Sequence, residues 1–397
     1  MNNGEFYAHR PAPSRKRRSR VSTKHKVIVA VILVLYAAIL SAVTYFMFYK
    51  PESEDGKFIE YVTDEHGNKI EISHDYQAVE GIYNILLLGH DKQAMLTDVI
   101  MILNINNNDG NITVMQIPRD TFVRSVDGVS IMTNKANELF VDHYNYYRGI
   151  GENDEKAYEH SLEATADLLG DALCINIDFA AIMDLAGFRN IVDAIGGVEM
   201  DVPYDLYYPD PVQDLVINIK AGYQTLNGVQ AEGFVRFRDG YLQGDLGRVN
   251  AQKQFVMAFF NKLKSTISLT NVSTIAELAG EVTANLETNL GVNDVVYFAR
   301  SALSLDMSNI KMLTMPGQVN NTHYVMNKSK TLEAINEYFN TFDKDIVAGV
   351  FDGKGQFNDP ANSAVFNIYY ADGSNIYDEN IYSGDEIDDG AIDIPRK

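Results

Sequence analysis

Residues 84–120 read NILLLGHDKQAMLTDVIMILNINNNDGNITVMQIPRD. Three apolar runs lie in this stretch, and each stops at turn chemistry. Asn84–Leu88, apolar after its first residue, ends at Gly89 and predicts a buried strand. Val99–Ile105 is a second strand, and Asn106–Gly110 turns the chain back into a third, Ile112–Ile117. Charged and turn residues sit only at the strand ends.

Working outward, helices begin to alternate with strands. Glu155–Leu169 has helical spacing, with Gly170 as a stop, and Leu173–Ile177 reads as a strand. Phe179–Ile195 reads as a helix ended by Gly196-Gly197, followed by a strand at Val198–Val202. Gly228–Arg236, Arg248–Lys264, Val272–Leu286, Asn293–Ser304 and Lys328–Phe342 read as helices, and Asn309–Met315 as a late strand. The alternation predicts a single large layered α/β domain over residues 81–345, ample for one core. Residues 50–80 read as a stalk or accessory strand pair turning near His66-Gly67-Asn68. Residues 346–397 form an acidic extension, with Val365–Tyr370 as one further strand and 384–397 disordered.

The N-terminal end is of another kind. Residues 27–49 hold no charge and are closed by Lys26 and Lys50. As a helix they span roughly 34 Å, enough for a hydrocarbon core of about 30 Å. Residues 1–26 carry eight bases against Glu5 and read as a disordered cytoplasmic tail. The expected topology is a single-pass cell-membrane protein, N-terminus cytoplasmic, C-terminal domain extracellular. The apolar run is longer than a signal-peptide core.

Removing the tail's +7 from the chain's net −21 leaves −28 for residues 27–397, which argues against nucleic acid as a partner. The lone cysteine, Cys174, excludes an internal disulfide. It lies in the apolar run Ala172–Ile177 and reads as a buried structural thiol rather than a nucleophile.

Three clusters can carry chemistry. Asp91 and Asp98 lie at the end of one strand and the start of the next, where two carboxylates converge on Mg²⁺ or form a solvated loop. Arg119 follows a buried strand and Pro118, and suits either a phosphate or a surface pair with Asp120. Arg236, Arg238, Asp245, Arg248 and Gln252 form the densest group. Arg236 and Arg238 share a face if the chain is extended there, and Arg248 and Gln252 share one helix face. The helix beginning near Leu246 would aim its N-terminus at an anion, with Asp245 as cap and metal ligand. Paired arginines in so acidic a chain suit a planar oxyanion.

These clusters, with NILLLG, TDVIMILNIN, ITVMQIPRDTFV, IVDAIGGVEMDVP, LNGVQAEGFVRFRD and GDLGRVNAQKQF, resemble the LytR-CpsA-Psr family of cell-envelope phosphotransferases over residues 81–265, and more weakly to about 345. The resemblance implies a central mixed sheet flanked by helices. It implies a polyprenyl-pyrophosphate-linked glycopolymer as donor, its lipid in an apolar tunnel, and a peptidoglycan hydroxyl as acceptor, assisted by Mg²⁺ or by Mn²⁺ in its place. By position, Asp91, Asp98 and Asp245 correspond to the metal and acidic residues. Arg119, Arg236, Arg238 and Arg248 correspond to the pyrophosphate clamp, and Gln252 to a headgroup contact. Asp91, Asp98 and Arg119 are the catalytic candidates, with Asp91 or Asp98 as base. Two departures stand out: Ala251 replaces an arginine common in the family, and the loop from Asp91 to Asp98 is short. They motivate an alternative, a non-catalytic envelope protein that binds polyprenyl lipid or glycan. His90 and Asp239 receive no role.

Overall fold

The computed structural model describes residues 41, 49–63, 66, 68–90, 95–124, 133–210, 215–237, 245–266, 278, 280–304, 310–320 and 322–353. The basic tail, almost all of the apolar run 27–49, Asp91, Arg238, residues 272–277 and 279 of the helix expected over Val272–Leu286 and the strand expected at Val365–Tyr370 lie outside the described residues, while 278 and 280–284 of that helix are helical. Among the described residues no helix is long and apolar enough to cross a membrane. The chain divides into Met1–Tyr49 and Lys50–Lys397, and the elements below belong to the second unit.

A hairpin opens it, with β1 (Gly56–Thr63) antiparallel to β2 (Lys69–Tyr76). Its Phe58 and Tyr76 rings pack edge to face at 5.5 Å and both meet Phe342. The quoted stretch then forms β3 (Ile82–His90), β4 (Thr97–Asn106) and β5 (Asn111–Gln116), each antiparallel to the next. The turn between β4 and β5 is built as expected. The Asn106 side chain accepts from the backbone of Asn108 and Asp109, and Gly110 takes a φ of +75°.

Two helices follow, α1 (Leu139–Gly149) and α2 (Asp154–Leu173), the latter capped by the Asn153 side chain on Lys156 N–H. Gly170 does not end α2. It lets the returning chain cross closely, because a Cβ there would lie 2.9 Å from the Ile175 carbonyl. The helix ends instead at Cys174, buried, with a φ of 55°. The strand expected at Leu173–Ile177 is therefore the helix end and a connection.

The strand comes later, as β6 (Phe179–Asp184), in the first part of the segment read as one long helix. Asp184 then caps α3 (Leu185–Ala194), its carboxylate accepting from Gly187 N–H at 2.8 Å. Next come β7 (Val198–Val202), β8 (Leu206–Asp210), β9 (Leu215–Ile219) and β10 (Gly222–Leu226), with β7 on β10 and β8 on β9, all antiparallel. They lead into α4 (Gly228–Arg236) and α5 (Asp245–Thr266). The chain continues through β11 (Glu287–Thr288), α6 (Val292–Ser304), β12 (Ile310–Thr314), β13 (Gly317–Asn320), β14 (His323–Met326), α7 (Lys328–Ala334) and α8 (Ala348–Gly353). The last expected helix, Lys328–Phe342, is α7 followed by a π turn over Ile335–Phe339.

Among the described residues the central sheet runs β11-β6-β3-β4-β5-β12. β6 is parallel to β3 and β12 to β5, and the other pairs are antiparallel, so the sheet is mixed. Helices cover both faces. Leu86, Leu88, Ile100 and Ile102 pack with Phe140, Leu162 and Leu169 of α1 and α2. Ile85, Met101, Leu103 and Val114 face Val256 and Phe260 of α5 and Phe298 of α6. This two-sided burial is why the β3 run shows no polar alternation. A separate core joins α3, α4 and α5 to β7–β10.

Candidate functional site

β3 and β5 end, and β4 begins, at one edge of the sheet. Gly89 pairs with Val99, the register shifts between Gly89 and His90, and His90 pairs with Thr97. Ile117 N–H donates to the Ile100 carbonyl, after which Pro118 turns the chain and its carbonyl accepts from Thr121. Arg119 is thereby carried back to Asp98, with Nη1 3.0 Å from Oδ1. Its Nε is 3.8 Å from Asp120 Oδ2, and Lys135 holds the other oxygen of Asp120 at 2.7 Å. Asp98 of the first sequence cluster and Arg119 of the second are thus neighbours. Both Arg119 and Asp98 are about half exposed, so the pair sits in solvent reach. Asp98 offers a hard oxygen donor of the kind Mg²⁺ takes. Among the described residues no group of three metal-ligating side chains is present.

His90, which received no role, closes β3 as a buried ring. It bonds the Tyr158 hydroxyl at 2.9 Å and stacks on Phe140. Burial pushes the Tyr158 hydroxyl well above its ordinary range, so it stays protonated. This stack braces the strand end from which the Asp91 loop departs.

The third cluster is built by α3, α4 and α5. The Asn227–Gln230 capping box starts α4, and its first residue, Gly228, lies against α3. A Cβ at Gly228 would stand 2.3 Å from the Arg189 carbonyl, so only glycine admits this approach. Asp193 accepts from Gly228 N–H at 2.7 Å and locks the contact. At the other end of α4 stands Arg236, and Phe237 leaves the helix extended. Arg236 Nη1 is 2.6 Å from Glu232 Oε1, one helical turn back. The second oxygen of Glu232 takes Arg189 Nη1 at 2.7 Å.

Gln252 reaches across from α5, donating Nε2 to the Val235 carbonyl at 3.1 Å. Its Oε1 is buried and has no hydrogen-bond partner among the described residues. Asp245 and Arg248 occupy the first turn of α5 by backbone, and their side chains, like Asp91 and Arg238 as a whole, lie outside what is described. The structure therefore joins Asp98 to Arg119, and Gln252 to the end of α4 that bears Arg236. Sequence reading missed Arg189 and Glu232.

Along α5, half-buried Lys253 has its ammonium pushed below the ordinary lysine value by desolvation. Val256 and Phe260 further along line the sheet with Leu87, Val99 and Phe298, all only partly buried. The faces that this side of the sheet, α5 and α6 turn to one another are apolar. A cavity of about 890 Å³ runs beside α2 under the segment entering β1. Glu54, Asp55, Glu159, Glu163, Asp167 and Asp178 line it. Burial raises the carboxyls of Asp167 and Asp178, and so acidic a wall repels phosphate.

The LytR_cpsA_psr family model matches residues 46–341. This chain belongs to the LytR_cpsA_psr family. It is 28% identical over 270 residues to the cell wall biosynthesis protein LcpA of Corynebacterium glutamicum, a match covering 61% of this chain and 51% of LcpA. It is 25% identical over 264 residues to the polyisoprenyl-teichoic acid–peptidoglycan teichoic acid transferase TagV of Bacillus subtilis, covering 64% of this chain and 62% of TagV. The chain thus spans about half to three fifths of the length of these relatives. The crystal structure of B. subtilis TagV aligns with a TM-score of 0.50 at 23% identity, over 64% of this chain and 96% of that one, and so shares the fold. Within this fold Ala251 is fully buried against the α3–α5 core. A longer side chain at 251 would have to enter this apolar packing.

Proposed function

We propose that this chain transfers a glycopolymer phosphate from a polyprenyl-pyrophosphate carrier to a peptidoglycan hydroxyl at the outer face of the membrane. The observation that carries the reading is the Asp98–Arg119 pair, which unites the two strand-end clusters at the rim of the sheet. Arg119, Arg236, Arg238 and Arg248 bind the two phosphates, and Gln252 contacts the headgroup. Arginines placed before the reaction stabilise the charge that develops as the phosphoanhydride breaks. The apolar side chains of α5, α6 and the sheet face beside them suit the lipid chain. Asp91 or Asp98 accepts the proton of the attacking hydroxyl. Asp91, Asp98 and Asp245 would hold Mg²⁺, or Mn²⁺, which would supply Lewis-acid charge neutralisation at the phosphates. Residues 27–49 anchor the chain with its N-terminus inside, keeping the domain beside a lipid-borne donor. The relatives named as cell wall biosynthesis and teichoic acid transfer proteins support the same chemistry.

The test is reconstitution of the full chain in lipid with a polyprenyl-pyrophosphate glycan and peptidoglycan. Release of polyprenyl phosphate with glycan joined to peptidoglycan is expected. Donor retained unchanged in the presence of Mg²⁺ and native acceptor would refute the transferase and leave a lipid-binding protein.

A further inference from the structure

We propose that Glu232 is a positioning residue that holds Arg189 and Arg236 as a matched pair, and that Arg189 is a further contact for the pyrophosphate of the donor. This rests on the transferase reading above, which already places Arg236 at the phosphates.

Glu232 is only 5% exposed, and each of its oxygens takes a different guanidinium, at 2.7 and 2.6 Å. Breaking a buried ion pair is costly, but replacing one by apolar packing is often neutral or stabilising. Stability alone therefore gives weak reason for a carboxylate here. Geometry gives a better one. Arg236 comes from the last turn of α4 and Arg189 from the middle of α3. They are brought together only because Gly228 admits the α3 backbone and Asp193 ties it down. One carboxylate then fixes two guanidiniums side by side. Glu232 itself is hidden, whereas Arg189 is 38% and Arg236 26% exposed. The formal charges of the trio sum to +1. Two planar donor forks at fixed spacing suit an anion with two phosphates better than one with a single phosphate.

The sign of one substitution separates positioning from simple charge. Glu232→Gln keeps the shape and raises the local charge to +2. Were charge alone to matter, pyrophosphate would bind more tightly. Loss of the clamp predicts the opposite, about tenfold weaker binding.

The experiment measures binding of farnesyl pyrophosphate and farnesyl monophosphate to the full chain in detergent, well below the unfolding midpoint. Wild type is expected to prefer the pyrophosphate. Glu232→Gln and Arg189→Ala are expected to erase most of that preference, and Arg189→Lys to restore part of it. In an Arg189→Ala/Arg236→Ala background Glu232→Gln should add little, because its effect runs through the two partners it positions. Tighter or unchanged pyrophosphate binding in Glu232→Gln overturns the proposal. So does a parallel loss for both ligands, which marks general damage. Arg189→Ala is the second route if Glu232→Gln fails to fold, and an unchanged preference there also overturns it. If Arg236→Ala loses the pyrophosphate but Glu232→Gln and Arg189→Ala do not, only this inference falls. If wild type binds neither ligand, the transferase reading falls with it.

Discussion

Arg119→Ala separates the energetics of the fold from those of the reaction. Arg119 touches Asp98 at 3.0 Å and Asp120 at 3.8 Å, and all three side chains are 42% to 51% exposed. Ion pairs in that position contribute at most about 1 kcal/mol, because water screens them and two long side chains lose freedom. Asp120 keeps Lys135 at 2.7 Å, so no acid is stranded there. For a domain of this size the unfolding midpoint should fall by less than about 3 °C. The reaction should suffer far more. Removing one preorganised donor from a developing oxyanion costs on the order of 100-fold to 1,000-fold in turnover. The assay is release of polyprenyl phosphate by the reconstituted chain, beside a thermal melt of the same sample. Turnover within a factor of about three of wild type would refute the catalytic placement of Arg119. A fall of about 10 °C or more in the midpoint would refute the account of its stability.

Three further substitutions test other parts of the structure. Asn84 is fully buried, its amide donating to the Asn176 and Phe339 carbonyls and accepting from Asn104; Asn84→Leu strands three polar groups and should cost about 3–6 kcal/mol in urea unfolding, with Asn104→Val recovering part of it. Burial pushes the His143 imidazole below its ordinary 6.5, so the unfolded chain takes up a proton before the folded one does. Stability from this residue is complete above 6.5 and is lost as pH falls from there through the folded value, and His143→Gln should flatten that part of a midpoint-versus-pH curve. Asp98→Asn weakens the hold on Arg119 and should tighten farnesyl pyrophosphate binding while slowing turnover; weaker binding would contradict the competition between Asp98 and the ligand.

Much of the fold was legible in residues 84–120, because their strands pair locally through a tight turn. β6 was not. Phe179-Ala-Ala-Ile-Met-Asp184 is buried along most of its length between β3 and β11, so it carries no alternation. Its alanines favour helix, and only pairing with β3 nearly a hundred residues earlier makes it a strand. The site divides the same way. Pro118 and a strand end announce Arg119 within a few residues. Glu232 looks locally like one more solvated acid on an amphipathic helix. Its meaning depends on Arg189, 43 residues earlier, and on a close approach that Gly228 permits.

The acids beside the arginines do different work, and burial decides which. In a chain carrying −28 beyond its tail, an untethered arginine has many carboxylates to visit. Arg119 is tied to Asp98 and Asp120 and Arg236 to Glu232, which costs some attraction for phosphate and fixes where each guanidinium points. Asp98 is 51% exposed, so its charge is already hydrated and it can release Arg119 cheaply when a phosphate competes. Its carboxylate is then available to a hydroxyl or a cation. Glu232, at 5% exposed with both oxygens engaged, has no such exit, since freeing it would leave a buried charge unpaired. Neutralising the two acids should therefore move ground-state binding in opposite directions, tighter at position 98 and looser at position 232. Two carboxylates of equal charge, each on an arginine, could not differ in sign by electrostatics alone.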